Sequence, residues 1–353
     1  MAYVDSNLND PSLFFNTVIF TGDGNDDRAI TVGFQPDLSW VRQRTDDSGG
    51  YVTDSVRGNN AALQTTNNNG EGTFADMTFT STGITVSSNE NLNNEDAHNY
   101  VSWHWKAGTS FTNDASATSI GDIDSSGSIS QTAGFSICSY SGSGTSGHTI
   151  KHGLNTAPKI IIIKKRSAGD NWTMLNTNIS LNTHLHLNTT DSAVSDPMFT
   201  NTAPTTSVFT VDSDGQVNES GHTFIAYCFS EVKGYSKFGA YTGNNNNDGN
   251  FVFLGFRPAW ILFKSSDSGQ HWHLIDNTRE TFNDSDAAQL SPNDVANEAA
   301  VKTNRGTASV DFLSNGFKLR SDGSSFNGTN AMIYMAFAEA PFVNSNGVPC
   351  NAR

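Results

Sequence analysis

The sequence predicts an all-β fold built as three tandem β-sandwich-like repeats, and three observations carry that prediction. Hydrophobic residues make up 36% of the 353 positions and charged residues only 16%. Gly, Ser, Thr, Asn and Asp fill the difference, and they favour turns over helices. The chain also has 23 Phe and 6 Trp, enough large aromatics to furnish several small cores, which a disordered chain lacks. The third observation is a set of sequence blocks that recurs in the same order.

The blocks align on a proline. Gly33-Phe34-Gln35-Pro36 leads into Leu38-Ser39-Trp40-Val41-Arg42. Gly153-Leu154-Asn155-Thr156-Ala157-Pro158 leads into Ile160-Ile161-Ile162-Ile163-Lys164, and Gly255-Phe256-Arg257-Pro258 into Trp260-Ile261-Leu262-Phe263-Lys264. A basic residue (Arg42, Lys164, Lys264) stands at the same distance from each proline. Upstream, Phe20-Thr21-Gly22, Tyr140-Ser141-Gly142 and Tyr241-Thr242-Gly243 correspond; downstream, Tyr51, Trp172 and Trp272 are aligned. Each copy closes on an apolar strand: 100–105, 224–229 or 332–337.

Each block predicts an element. The β-branched run Ile160–Ile163 reads as a central strand buried on both faces, and so do the closing strands. Phe312–Leu319 reads as a hairpin in which Asn315-Gly316 supplies the two φ > 0 positions of a type I′ turn. Residues 79–84 keep its outline, whereas Val208-Phe209-Thr210-Val211 has no matching Gly. A short helical turn is expected within Asn293–Lys302. The resulting organisation is an N-terminal arm (1–14), repeats at 15–107, 132–231 and 236–342, a Ser/Thr/Gly-rich linker (108–131) and a C-terminal arm (343–353).

Charge excludes some functions. Lys and Arg number 20 against 35 Asp and Glu, a net charge of −15, which repels phosphate backbones and anionic lipid. No nucleic-acid partner and no membrane insertion are expected, and no apolar run approaches a membrane span. No signal peptide is visible at Met1-Ala2-Tyr3-Val4-Asp5. Cys138, Cys228 and Cys350 fit neither a disulfide framework nor a zinc site, so free thiols formed in a reducing cytoplasm are expected.

Candidate chemistry is sparse. His184-Leu185-His186 and His271-Trp272-His273 each place two imidazoles on one face of a strand, where they can offer ligands to a divalent cation. Polar residues on a solvated face are the alternative. The acidic loops Asp23–Asp27, Asp122-Ile123-Asp124 and Asp212–Gly215 have the oxygen chemistry of calcium sites but none of the known loop spacings, and Asx-turns account for them as well. Asp54 with Arg57, and Asp276 with Arg279, read as carboxylate–guanidinium pairs that pin a turn. Neither a nucleophile elbow nor a P-loop motif is present, and no carboxylate pair is singled out for glycoside hydrolysis. No enzymatic activity, catalytic residue or resident cofactor is expected. Trp103, Trp105, Trp172, Trp260 and Trp272 read as core, which leaves glycan contact to the long loops 59–76, 177–206 and 279–306.

Four blocks carry a family resemblance: Trp103–Gly108, Thr132–Ile137, Gly234–Gly239 and Tyr334–Glu339. They resemble a repeated module of uncharacterised function in tail-fibre-like structural proteins of marine bacteriophages. The first copy departs from it, with Lys106-Ala107-Gly108 where the later closing motifs carry Glu. The resemblance implies a virion protein assembled in the host cytoplasm, most simply a tail fibre or tail tip that binds a host-surface glycan or protein. A capsid decoration protein is the second reading and a polysaccharide depolymerase the third. Other virion proteins are the implied partners. A homotrimer is expected by analogy with fibres, and a single chain whose repeats mimic a trimer is its competitor.

Overall fold

The computed structural model describes residues 8, 10–73, 76–87, 93–279, 281, 283, 288–305, 309–323, 325–340, 342–343 and 349–350. Nearly all regular structure is strand, and every strand pair is antiparallel. Residues 15–105 supply β1 (Phe15–Thr21), β2 (Arg28–Thr31), β3 (Leu38–Gln43), β4 (Gly50–Asp54), β5 (Ala61–Gln64), β6 (Gly72–Thr73), β7 (Met77–Thr80), β8 (Gly83–Val86) and β9 (Asn99–Trp105). They form a main sheet ordered β1-β9-β3-β4-β5-β6 and a small sheet β2-β8-β7.

Residues 109–229 supply β10 (Thr109–Asn113), β11 (Ser125–Ser130), β12 (Phe135–Ser141), β13 (Thr149–Lys151), β14 (Ile160–Lys165), β15 (Trp172–Asn176), β16 (Leu185–His186), β17 (Val208–Thr210) and β18 (Thr223–Phe229). Their sheets are β10-β11-β12-β18-β14-β15-β16 and β13-β17. Residues 236–338 supply β19 (Ser236–Thr242), β20 (Phe251–Phe253), β21 (Pro258–Ser265), β22 (His273–Asp276), β23 (Val310–Leu313), β24 (Gly316–Leu319) and β25 (Ala331–Ala338), in sheets β19-β25-β21-β22 and β20-β24-β23. We call these three strand groups the first, second and third units. Register is the same in each: Leu38, Ile160 and Trp260, two residues past the prolines, stand opposite Trp105, Phe229 and Phe337.

The post-proline and closing strands are buried along almost their whole length because both faces of each main sheet are covered. One face packs on the unit's own small sheet: Ile161, Ile163 and Ala226 meet Phe209, and Ile261, Phe263 and Ala336 meet Phe317. The other face joins a cluster common to all three units, which includes Trp40, Trp105, Ile162, Phe229, Trp260 and Phe337. Trp105 contacts Trp260 edge-on with ring centroids 5.6 Å apart, and Phe15 stacks on Phe337 at 5.2 Å. The walls leave a cavity of ≈ 40 Å³ between Trp40, Ile162, Leu262 and Met335. Deleting one such large aromatic costs roughly 3–5 kcal/mol. The units are therefore not separate beads on a chain; they share a core.

Several expectations are corrected. Residues 108–131 are no bare linker, because β10, β11 and a helical turn, α1 (Ala115–Thr118), extend the second main sheet. Opposite residues along the strands align Gly50, not Tyr51, with Trp172: Asp54 faces Leu38 as Asn176 faces Ile160. The Phe312–Leu319 hairpin forms, but Ser314-Asn315 is its turn, and neither Asn315 nor Gly316 lies in the left-handed region. Gly316 is required by proximity instead: a Cβ there would stand 2.1 Å from the Val252 carbonyl oxygen, as one at Gly83 would stand 2.0 Å from that of Ile30. The helix expected within Asn293–Lys302 starts later, as α3 (Glu298–Arg305); α2 (Gly215–Asn218) was not foreseen. Most of the two arms lies outside the described residues, although β26 (Phe342–Val343) pairs with β27 (Pro349–Cys350) in the C-terminal one. Among the described residues no helix is long and apolar enough to cross a membrane.

Candidate functional site: an interlock around the shared core

The carboxylate–guanidinium pairs lie where units meet. Asp54 Oδ1 accepts the backbone N–H groups of Val56 and Arg57 at 3.1 and 2.9 Å, an Asx-turn ending β4. Its Oδ2 binds Arg57 Nε and accepts the Tyr227 hydroxyl of the second unit at 2.7 Å. Arg57 then reaches Glu71 at 3.2 Å, and Glu71 receives Arg166 of the second unit at 2.9 and 3.0 Å. Both side chains of the Asp54–Arg57 pair are fully buried.

The third unit makes the same construction toward the first. Asp276 Oδ2 accepts Arg279 Nε at 2.6 Å and Trp103 Nε1 at 3.1 Å. Arg279 donates to Glu298 at 2.8 Å, and Glu298 receives Arg44 at 2.9 and 3.0 Å. Burial alone would raise the Glu298 carboxyl, but Arg279 and Arg44 hold it below the ordinary range. At the remaining junction, between the second and third units, every member is replaced at once. Asn176 stands in the position of Asp54, Met335 in that of Tyr227, and Ile179, Ala193 and Ser266 in those of Arg57, Glu71 and Arg166. Ile179 and Ala193 pack on the shared core instead.

The basic residue after each proline is a second clasp. Lys164 Nζ donates to the Asn68 carbonyl of the first unit at 3.1 Å, and Lys264 Nζ to that of Thr190 in the second at 3.2 Å. Arg42 Nη2 donates to the Ala296 carbonyl of the third unit at 2.8 Å. Burial pushes both ammonium groups down to about 8. Indole N–H groups add to this: Trp172 donates to Gln64 O at 2.8 Å and Trp272 to His186 O at 2.9 Å. Each unit thus grips a long loop of the unit before it, and the first grips the third, so the chain closes into a ring. The long loops read from sequence as display segments are the gripped parts.

The other candidates have different fates. All six tryptophans are buried. His184 and His186 converge, with Nε2 atoms 3.2 Å apart and His184 Nδ1 3.0 Å from the Asp196 carbonyl, but both are buried rather than on a solvated face. His271 and His273 are drawn to different partners, Asn293 and Gln289. Among the described residues no three His, Cys, Asp or Glu side chains are grouped to hold a metal. In the acidic loops Asp122 Oδ2 accepts Thr149 N and Oγ1, and Asp214 caps α2. Cys138 and Cys228 are free and buried, and burial pushes the Cys138 thiol up to about 12; the Cys350 side chain lies outside the described residues. Sequence reasoning missed the buried asparagines before each closing strand. Asn94 donates to Asp23 Oδ1 and Asn25 O, Asn218 to Thr145 O, and Asn327 to Asn244 Oδ1 and Asn246 O, so each ties down the loop after its unit's first long strand.

Among curated proteins and solved structures, nothing matches this chain. The family described as a domain of unknown function, DUF7483, matches residues 10–341 as one domain, a span that takes in all three units and both ends of the interlock. The chain belongs to that family.

Proposed function

We propose that the protein is a bacteriophage virion structural component, a tail fibre or tail-tip part involved in host-surface attachment, and that it performs no chemistry. The observation that carries the structural reading is the use made of its buried ionic groups. Asp54, Arg57, Asp276 and Arg279 are closed to solvent and engaged in pinning their own turns and joining units. Catalysis needs an acid, base or nucleophile that meets a substrate. Resemblance to a module of phage structural proteins supports the virion assignment. We further propose that the units are tandem copies of one module, fused as the single-chain counterpart of a trimer; matching strand order and register support this.

Ring closure within one chain covers the inner sheet faces that a homotrimer would have to cover between chains, which favours the single-chain reading. Its partners are then other virion proteins and a host-surface glycan or protein, met at high local concentration where many copies are displayed. Light scattering of the purified protein should give one chain mass, 37.9 kDa; about three times that restores the homotrimer. Mass spectrometry of purified particles should find the chain, and electron microscopy should place it on the tail. Absence from particles refutes the virion role, a capsid position moves it to decoration, and release of reducing sugar from host polysaccharide refutes the non-enzymatic reading.

A further inference from the structure

The side of each β-sandwich where the first strands of its two sheets run is closed in one unit and open in another. In the second unit it is closed by the chain itself. β11 pairs along the edge of β12, β10 pairs with β11, and Ile123 bridges in parallel to Ile150 of β13. The backbone N–H groups of Asp122 and Ile123 both donate to the Thr149 carbonyl. Phe111 of β10 packs against the second unit's own core. The segment that does this, 108–131, is Ser-, Thr- and Gly-rich with few large apolar residues.

In the third unit no strand among the described residues pairs along the equivalent edges. The start of β19 is met only by the connector before it, where Ser236 N–H donates to the Val232 carbonyl and Phe238 N–H to Glu231 Oε1 at 2.9 Å. Apart from that single bridge, β19 pairs with β25 alone, and β20 with β24 alone. β20 turns two phenyl rings outward there, Phe251 at 45% and Phe253 at 57% exposure, while Val252 between them packs inward. The first unit's equivalent strand presents only Ala29 and Thr31. Lys237 of β19 spans the opening, donating to the Phe253 carbonyl at 2.7 Å with its ammonium 5.3 Å from the ring centre. Adjacent exposed aromatics beside an unpaired strand edge invite strand addition.

We propose that the open side of the third unit, edged by β19 and β20, docks an extended polypeptide segment of a partner protein. The occupant is of the kind that 108–131 already exemplifies in the second unit. It is a hydroxyl- and glycine-rich strand whose backbone extends the main sheet and whose isolated apolar side chain covers Phe251 and Phe253. The proposal does not depend on the virion role.

The probe is a labelled synthetic peptide of residues 108–131, added to the full chain and followed by anisotropy and hydrogen exchange. Saturable binding at about 10–100 µM is expected, with slowed exchange in β19 and β20. Phe251→Ser with Phe253→Ser should weaken binding at least about tenfold, and Phe253→Ser alone partially. Ile19→Ser, on the first unit's edge, should leave it unchanged, and circular dichroism establishes that each variant is folded. Three outcomes overturn the proposal: no saturation by about 1 mM, protection confined to β12, or equal loss in the Ile19 variant.

Discussion

The Tyr227 hydroxyl donates to Asp54 Oδ2 at 2.7 Å, across 173 residues of sequence and between two units. The carboxylate needs that donor, because its partner Arg57 is also fully buried and water cannot replace either group. Tyr227→Phe should therefore destabilise by about 1.5–3 kcal/mol. Met335→Leu, at the matching position without a carboxylate, should cost under about 1.5 kcal/mol. Asp54→Asn, which leaves the buried Arg57 charge with Glu71 as its remaining carboxylate, should cost about 3 kcal/mol, more than the slight loss a surface turn would suffer. Urea unfolding measures all three, and equal losses would show that the interlock carries no special weight.

The non-ionic junction predicts coupling between substitutions. Asn176→Asp alone places an acid beside Ile179 and Met335 with no guanidinium to meet it, and should cost about 3 kcal/mol or more. Adding Ile179→Arg, to mimic the Asp54–Arg57 spacing, should recover at least about 1 kcal/mol of that loss. A double-mutant cycle read by urea denaturation checks it; strict additivity would mean the positions do not correspond.

Physical reach decided what could be read in the sequence. Ile160–Ile163 announced a doubly buried strand because an unbroken apolar run offers neither face to water. Asp54 and Arg57 were recognisable as a pair because they are three residues apart, whereas Tyr227 and Trp103 donate from distant segments. Arg42, Lys164 and Lys264 showed up as a recurring charge, but they grip backbone carbonyls, which leave no mark in sequence. The shared core was illegible for a related reason: an apolar run says that both faces are covered, not by what.

Acid should weaken the fold through two buried imidazoles. Burial pushes His104 down to about 3 and His152 to about 4, from an ordinary value of 6.5. His104 is held neutral between the hydroxyls of Ser39 and Ser102, each 2.8 Å away. Above about pH 6.5 neither imidazole is charged in the folded or the unfolded chain, so neither adds pH dependence. Below it the unfolded chain binds protons that the folded chain refuses, so stability falls as pH drops from 6.5 toward 4 and then 3. His104→Gln and His152→Gln should each flatten the slope of unfolding free energy against pH in that window. An unchanged slope in both variants would assign acid sensitivity to other groups: His186, which burial also pushes down, and the carboxylates.

The final prediction concerns an indole that has changed strand. Trp172 and Trp272 each stand just before the strand core that follows the post-proline strand, and each donates to the preceding unit's loop. The first unit has Gly50 at that place, and a Cβ there would lie 2.7 Å from Trp40 Nε1 and 2.9 Å from Thr65 Oγ1. Trp40 sits on the neighbouring strand, where the other units carry Ile162 and Leu262. Its ring occupies the volume that a tryptophan at position 50 would need. Gly50→Trp alone should therefore overpack the site and cost about 1–3 kcal/mol, and Trp40→Leu alone should open a cavity and cost about 3–5 kcal/mol. Combined, the two restore the arrangement of the other units, so the double variant should be more stable than Trp40→Leu by about 2 kcal/mol. Thermal and urea unfolding of the four proteins decides it; a double variant less stable than both singles would show that Trp40 does not stand in for the missing indole.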